Sequence, residues 1–300
     1  MNDPKVSICI FSYNFALYIS QALESVLQQN TNFDFEIVIG DDCSTDNTRA
    51  IIAAFQEKHP RKIVLAYSDT NQGGTRNWIQ TMNACKGKYI ALLDGDDYFI
   101  DEYKLQKQVD LMESDDQCVL CFHAVDEVYD NIDGMNKTVR FEKHKFELED
   151  FLSIGWFIRT GSTMFRNGIL PTQPPEWVFN FPYRYDTILH VFLGLKGHAI
   201  YIDEVMSIWR KHHTGMSGHL LKNTIENVHT EVAMAMQLNR YTGLKYNKVV
   251  RKYCSRLYSG LLIYLIRTGL WTRNLKLFTG TIIKANWPYF FSRIKNKIQK

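Results

Sequence analysis

Four short apolar runs, Val6–Phe11, Phe35–Ile39, Ile63–Tyr67 and Lys88–Leu93, alternate with helical patterns in the first third of the chain. After the first run, Ala16, Ile19, Leu23, Val26 and Leu27 recur at helical spacing and predict a helix over Ala16–Gln29. A second helix to about Lys58, with Ser44 or Thr45 as its cap, and a third over Thr75–Cys85 follow the next two runs. Strands and helices in this alternation form βαβ units, hence a parallel sheet with right-handed crossovers. Each run ends in a polar cluster, and open α/β sheets bind ligands at the carboxyl ends of their strands.

Beyond Asp101 the pattern predicts a helix to about Glu113, a strand over Cys118–His123 and a polar stretch around 131–145. Phe151–Phe165 is expected to be partly buried, and Pro171, Pro174, Pro175 and Pro182 mark an irregular loop before a helix over Asp186–Leu195. From about residue 220 the chain reads as helices, with Val249, Val250, Tyr253, Leu257, Leu261 and Leu265 on one face. Val6–Leu23 is uncharged, but Ser12, Tyr13 and Asn14 interrupt it and Asp3 precedes it, so neither a membrane span nor a signal peptide is expected there. The six cysteines are therefore expected to stay reduced in the cytosol.

Charge separates the chain into two parts. Residues 232–300 carry 14 Lys and Arg and no Asp or Glu, which leaves 21 bases against 32 acids before them. The formal net charge of +3 is thus −11 in the first part and +14 in the second. An acidic body suits catalysis or metal binding, and a basic tail suits an anionic partner.

The densest chemical signal is Tyr89-Ile-Ala-Leu-Leu-Asp-Gly-Asp-Asp97, which crowds Asp94, Asp96 and Asp97 at the end of a buried strand. Their mutual repulsion calls for a cation, and a hard divalent ion held by one or two carboxylates plus substrate phosphates supplies it. The plain alternative is an acidic turn before a helix. After the second strand, Asp42 precedes the helix cap and is free to point into the cleft. There it can accept the imide N–H of a pyrimidine whose ring stacks on Tyr13. Cys118-Val-Leu-Cys121 with His123 has no second pair and reads as buried strand, and Gly73-Gly74 lacks the Lys-Ser/Thr of a P-loop.

Four segments in this order resemble family 2 glycosyltransferases of the GT-A fold: Val6-Ser-Ile-Cys-Ile-Phe-Ser-Tyr-Asn14, Phe35-Glu-Ile-Val-Ile-Gly-Asp-Asp-Cys-Ser-Thr-Asp46, Asn71-Gln-Gly-Gly-Thr-Arg-Asn77 and Gly87-Lys-Tyr-Ile-Ala-Leu-Leu-Asp-Gly-Asp-Asp97. The resemblance implies an α/β, Rossmann-like nucleotide-binding sheet with helices on both faces and a C-terminal helical extension. It also implies an inverting, metal-dependent enzyme of the bacterial surface-polysaccharide type. In it Tyr13, Asp42 and Arg76 bind the nucleotide, Asp94 lies near the ribose or metal, and Asp96 is the chief ligand of Mn²⁺ or Mg²⁺. Asp186, at a helix start before a Gly and a strand, resembles the family's base, although Tyr185 stands where the family has Glu; the plain alternative is an N-cap. Trp209-Arg-Lys-His-His213 resembles the family's aromatic-Arg-x-His segment, so Arg210 faces the leaving diphosphate or pairs with an acid. His212, or its neighbour His213, binds metal or diphosphate.

These expectations divide the chain into a GT-A domain at 1–219, with a nucleotide-sugar half at 1–125 and an acceptor half at 126–219, and a basic helical region at 220–300. The expected donor is a UDP-sugar, and the expected acceptor a glycan or lipid-linked oligosaccharide. No nucleic acid is expected as a partner. Leu261–Ile266, Trp287, Tyr289, Phe290 and Phe291 are expected to dip into an anionic membrane surface beside Arg251, Lys252 and Arg256, placing the enzyme peripherally on the cytoplasmic face of the inner membrane. The competing expectation is a helical subdomain packed on the acidic body. A nucleotidyltransferase would instead carry a Gly-rich basic loop after its first strand, which Phe11-Ser-Tyr-Asn14 is not, and a non-catalytic module would have lost its carboxylates.

Overall fold

A computed structural model of the chain describes residues 3–130, 136–182, 184–213, 224–270, 280–281 and 283–285. The chain divides into two units, Met1–Leu148 with Trp156–His212, and Glu149–Gly155 with His213–Lys300. The expected boundary at 219/220 falls outside the described residues.

The first unit is a mixed α/β layer structure. Its elements run β1 (Val6–Ser12), α1 (Ile19–Leu27), β2 (Phe35–Asp41), α2 (Thr48–Lys58), β3 (Ile63–Leu65), α3 (Gly74–Ala84), β4 (Tyr89–Asp94), β5 (Tyr98–Phe99), α4 (Lys104–Ser114) and β6 (Cys118–Tyr129). After β7 (Lys137–Val139) and β8 (Lys145–Phe146) comes α5 (Leu148–Ile154), nearly all of which belongs to the second unit; β9 (Met164–Arg166), α6 (Tyr185–Gly194) and β10 (His198–Lys211) complete the first. The sheet order is β3-β2-β1-β4-β9-β6-β10-β5, with β7 beside β6 and β8 beside β10. β1, β2, β3 and β4 are parallel, β9 runs antiparallel to β4 and β6, and β6 and β10 are parallel to each other.

β1 is buried along its whole length because both of its faces are covered, so its sequence is a continuous apolar run. Val6, Ile8 and Ile10 join α1 (Ile19, Ala22, Leu23, Val26), α2 (Ile52) and α4 (Leu105, Val109, Met112) in one core. The opposite face meets α3, where Phe11 stacks on Trp78 with centroids 4.1 Å apart. α3 comes so close to β2 that a Cβ on Gly40 would stand 1.7 Å from Thr81 Oγ1, so only glycine fits.

Two elements differ from the expectation. β6 continues to Tyr129 and β10 to Lys211 because the two strands pair with each other along their length. Between Ile202 and Val205 the register shifts, which leaves the exposed Asp203 and Glu204 unpaired and interrupts the apolar pattern that marks a strand. The start of α2 also differs: it begins at Thr48, whose N–H is taken by Asp46 Oδ1 at 2.9 Å, and neither Ser44 nor Thr45 caps it.

In the second unit, α7 (Thr224–Tyr241) and α8 (Asn247–Thr268) pack together through Tyr258, Leu261 and Leu265 on α8 and Ile225, Val228 and Val232 on α7. Tyr253 donates to the buried Glu231, and the Arg256 guanidinium bonds the Ser153 carbonyl of α5. Of the segment expected to enter a membrane, Leu261, Leu262 and Leu265 are buried, whereas Ile266 is exposed. Among the described residues no helix is long and apolar enough to cross a membrane. Trp287, Tyr289, Phe290 and Phe291 lie outside the described residues.

Candidate active site

The carboxyl ends of β2, β1 and β4 lie side by side, with Ser12 in register with Asp41 and Phe11 with Asp94. The turns that leave β1 and β2 are tied to each other. Asn14, at φ 58°, accepts the Thr45 N–H at 2.8 Å and gives its own N–H to Ser44 Oγ at 2.8 Å. Phe15 N–H reaches Thr48 Oγ1 and Ala16 N–H reaches Asp46 Oδ2. Tyr13 is held open by this tie and is 41% exposed.

Asp42 departs from the expectation. It is buried, and its two carboxylate oxygens accept the N–H groups of Gln72 at 2.7 Å and Gly73 at 2.9 Å. Asp42 ties the loop before α3 to the end of β2. Its carboxylate is thus engaged by the loop rather than free in the cleft. Arg76, in the first turn of α3, is exposed and lies over the Phe179 ring at 4.3 Å.

Asp94 and Asp97 flank the exit of β4. Gly95 separates Asp94 from Asp96 because its N–H bonds Phe11 O at 2.8 Å, and a Cβ there would crowd Phe11 O, Phe15 and Ile19 within about 3 Å. Burial, then the charge of Asp96, pushes the Asp94 carboxyl up to about 8; a Thr160 hydrogen bond opposes this and the Asp186 charge adds to it. Asp97 is raised for the same reasons of burial and neighbouring carboxylates, and its Oδ1 accepts the Arg210 N–H at 2.8 Å.

Asp186 lies in the first turn of α6, one residue inside the helix rather than at its cap, half-buried and accepting the Thr187 N–H at 2.7 Å. A carboxylate is favoured there by the helix dipole. Its charge acts on Asp94, so the residue expected as base and the β4 acids share one electrostatic site.

The end of β10 closes the site from the other side. Arg210 Nε donates to Asp96 O at 2.9 Å, its Nη2 to Gln21 Oε1, and its Nη1 lies 3.6 Å from Asp130. Tyr18 and Tyr98 cover its guanidinium at 4.8 and 5.1 Å. Of the two uses expected for Arg210, this geometry is that of pairing with an acid and bracing the acidic turn. His212 Nε2 lies 2.9 Å from Asp96 Oδ2, with its ring 4.6 Å from that of Tyr18. His213 is exposed.

Among the described residues no three His, Cys, Asp or Glu side chains converge as a preformed metal cluster; the structure joins Asp96 to His212 and leaves Asp94 out of that pair. An oxygen and a nitrogen donor at one point, next to crowded carboxylates, fit a Mn²⁺ or Mg²⁺ ion that takes its remaining ligands from water and phosphate. Sequence reasoning missed Thr160, which opposes the upward shift of Asp94, and Tyr18, Gln21 and Asp130, which meet Arg210 or His212. Nothing local in the sequence joins residue 18 or 21 to residue 210.

The glycosyl transferase family 2 model matches residues 7–170. An uncharacterized protein of Mycobacterium tuberculosis is 33% identical over 214 residues, 70% of this chain and 60% of that protein; this chain thus spans well under two thirds of that relative. Among solved structures, TarS of Staphylococcus aureus in complex with UDP-GlcNAc superposes with a TM-score of 0.66 at 16% identity, over 92% of this chain and 79% of TarS. The mannosyltransferase PcManGT of Pyrobaculum calidifontis, in complex with GDP-Man and Mn²⁺, covers all of this chain and 89% of its own at a TM-score of 0.54 and 17% identity. Those two likenesses are of fold, and they bear out the expected GT-A architecture with its helical C-terminal part. Since the family match spans more than half of the sequence, the chain belongs to glycosyl transferase family 2.

Proposed function

We propose that this chain transfers a sugar, with inversion, from a nucleoside diphosphate sugar to a hydroxyl of a glycan or lipid-linked oligosaccharide. The observation that carries the reading is the Asp96–His212 pair beside Asp94, at the strand end where the charge of Asp186 is also felt. A UDP-sugar is the favoured donor, a choice supported by the UDP-GlcNAc bound to TarS. Mn²⁺ or Mg²⁺ on Asp96 and His212 would supply Lewis-acid stabilisation of the departing diphosphate, a choice supported by the Mn²⁺ bound to PcManGT. Tyr13 offers a face to the base, and Asp42 shapes the β2–α3 side of the nucleotide pocket through its grip on Gln72 and Gly73. Asp94, half-buried and with a raised pKa, meets the ribose or sugar side of the donor. Arg210 keeps the Asp94–Asp97 turn in place, and Arg76 is free to swing from Phe179 toward phosphate.

Asp186 takes the proton of the acceptor hydroxyl as the new bond forms on the opposite face of the anomeric carbon from the departing diphosphate, worth about 10²–10⁴-fold in rate. The basic helical unit meets an anionic membrane on the cytoplasmic side through exposed Lys248, Arg251, Lys252 and Arg267, which brings a lipid-linked acceptor within reach. A donor-hydrolysis screen across UDP- and GDP-sugars with Mn²⁺ tests the reading: release of a nucleoside diphosphate from at least one donor is expected, and none from any donor would sink it.

A further inference from the structure

The carboxyl ends of β6 and β10 carry an aromatic and ionic cluster that the donor chemistry does not use. Trp156 and Trp209 meet edge to face with centroids 5.3 Å apart. The Arg159 guanidinium lies over both rings, at 4.1 Å from Trp156 and 4.5 Å from Trp209, and Lys211 Nζ lies 4.2 Å from Trp209. Both cations end on Glu127, Arg159 Nη2 on Oε1 at 2.8 Å and Lys211 Nζ on Oε2 at 2.7 Å. Glu127 is almost wholly buried, whereas Trp156 keeps 38% of its surface open. An indole that served only as core would be covered; this one is clamped by cations and an ion network and still presents a face.

A rigid aromatic face rimmed by charged hydrogen-bonding groups is what a sugar ring requires. The C–H face of a pyranose stacks on an indole, its hydroxyls bond cationic N–H donors at the ring's edge, and clamped rings lose little entropy on binding. Position selects which sugar. In the sheet, β1 and β2, which carry Tyr13 and Asp42, lie on one side of β4, and β6 and β10 lie on the other. Asp94 ends β4 between them. The cluster is joined to the reacting site through a chain neighbour: Arg210, next to Trp209, bonds Asp96 and Asp97.

We propose that Trp156 and Trp209, clamped by Arg159, Lys211 and Glu127, form the platform on which a pyranose ring of the acceptor stacks. The proposal rests on the transferase reading above and assigns these residues acceptor recognition, with no proton or bond of their own to move.

The test uses the full chain and, as probes, the methyl glycosides of glucose, galactose, mannose and N-acetylglucosamine, read by tryptophan fluorescence, with UDP and GDP binding in Mn²⁺ read by calorimetry. The wild type is expected to respond saturably to at least one glycoside. Trp156→Ala weakens that response about tenfold, Trp156→Phe much less, while nucleotide affinity in both stays at the wild-type value. Trp209→Phe guards against a folding artefact at the half-buried ring and is expected to weaken glycoside binding without lowering Tm. No saturable response to any glycoside in the wild type, or an undiminished response in Trp156→Ala, overturns the platform. Glycoside binding that depends on Trp156 in a protein that binds neither UDP nor GDP upholds the platform and sinks the transferase reading alone.

Discussion

His212 Nε2 and Asp96 Oδ2 stand 2.9 Å apart across 116 residues of sequence, joining the loop after β4 to the end of β10. In the proposed reaction the two would share a phosphate-bound cation. Asp96→Asn is expected to abolish transfer and metal-dependent donor binding. His212→Ala, which leaves the carboxylate in place, raises the Mn²⁺ concentration needed for half-maximal activity by about 10–100-fold. Activity measured against Mn²⁺, with a chelator control, checks both; full activity in chelator refutes the metal assignment.

Asp186→Asn keeps size and helix position and removes the basic oxygen. Transfer is expected to fall by about 10²–10⁴-fold while nucleotide affinity stays at the wild-type value. An N-capping role would give the reverse pattern, a lower Tm with transfer retained, and Asp186 lies inside α6 rather than at its cap. Transfer kinetics and nucleotide calorimetry on one preparation separate the two.

The β1–α1–β2–α2 portion was legible because its strands are covered on both faces and its helices on one, so apolar pattern follows burial directly. β10 was not legible past Ile202, since Asp203 and Glu204 occupy a register shift and pairing with β6 and β5 carries the strand on to Lys211. Among site residues, Asp94, Asp96, Asp186 and His212 come to one region as their motifs suggested. Asp42 and Arg210 are the instructive exceptions. Each has a side chain whose type fits a ligand, and each is engaged by backbone groups far along the chain: Gln72 and Gly73 for Asp42, Asp96 for Arg210. Local sequence contains no term for such partners.

That engagement of Asp42 has its own consequence. Asp42→Asn places an N–H₂ group, at a buried position, against one of the two loop N–H groups, so one bond is lost and two donors face each other at a cost of about 1–3 kcal/mol. Thermal unfolding is expected to show a lower Tm with or without nucleotide. An unchanged Tm combined with weaker donor binding would mean that the carboxylate serves the base instead.

Burial of Leu261, Leu262 and Leu265 leaves α8 with exposed Lys and Arg residues and the single exposed aliphatic Ile266 to meet a membrane. Binding to phosphatidylglycerol vesicles is therefore expected to be electrostatic. It should weaken steeply between low and physiological salt and be absent on phosphatidylcholine. Co-sedimentation across a salt series tests this, and binding that persists in high salt would require apolar insertion instead.

Lys104 offers a prediction independent of catalysis. It is fully buried in α4, its Nζ donates to Gln108 Oε1 at 2.7 Å and lies 4.1 Å from the Phe99 ring centroid, and among the described residues no carboxylate forms an ion pair with it. Burial drives its pKa from 10.5 down to about 7. Below about 7 the lysine is protonated folded and unfolded alike, so the burial penalty is present in full and stability does not change with pH on its account. Between about 7 and 10.5 the unfolded chain binds the proton that the folded chain has lost, so stability rises with pH through that window. Lys104→Met removes the titration. The difference in Tm between variant and wild type is expected to be most favourable to the variant at pH 6 and to fall steadily by pH 9.5. A difference that stays level over this range would show that Lys104 keeps its charge in the folded protein.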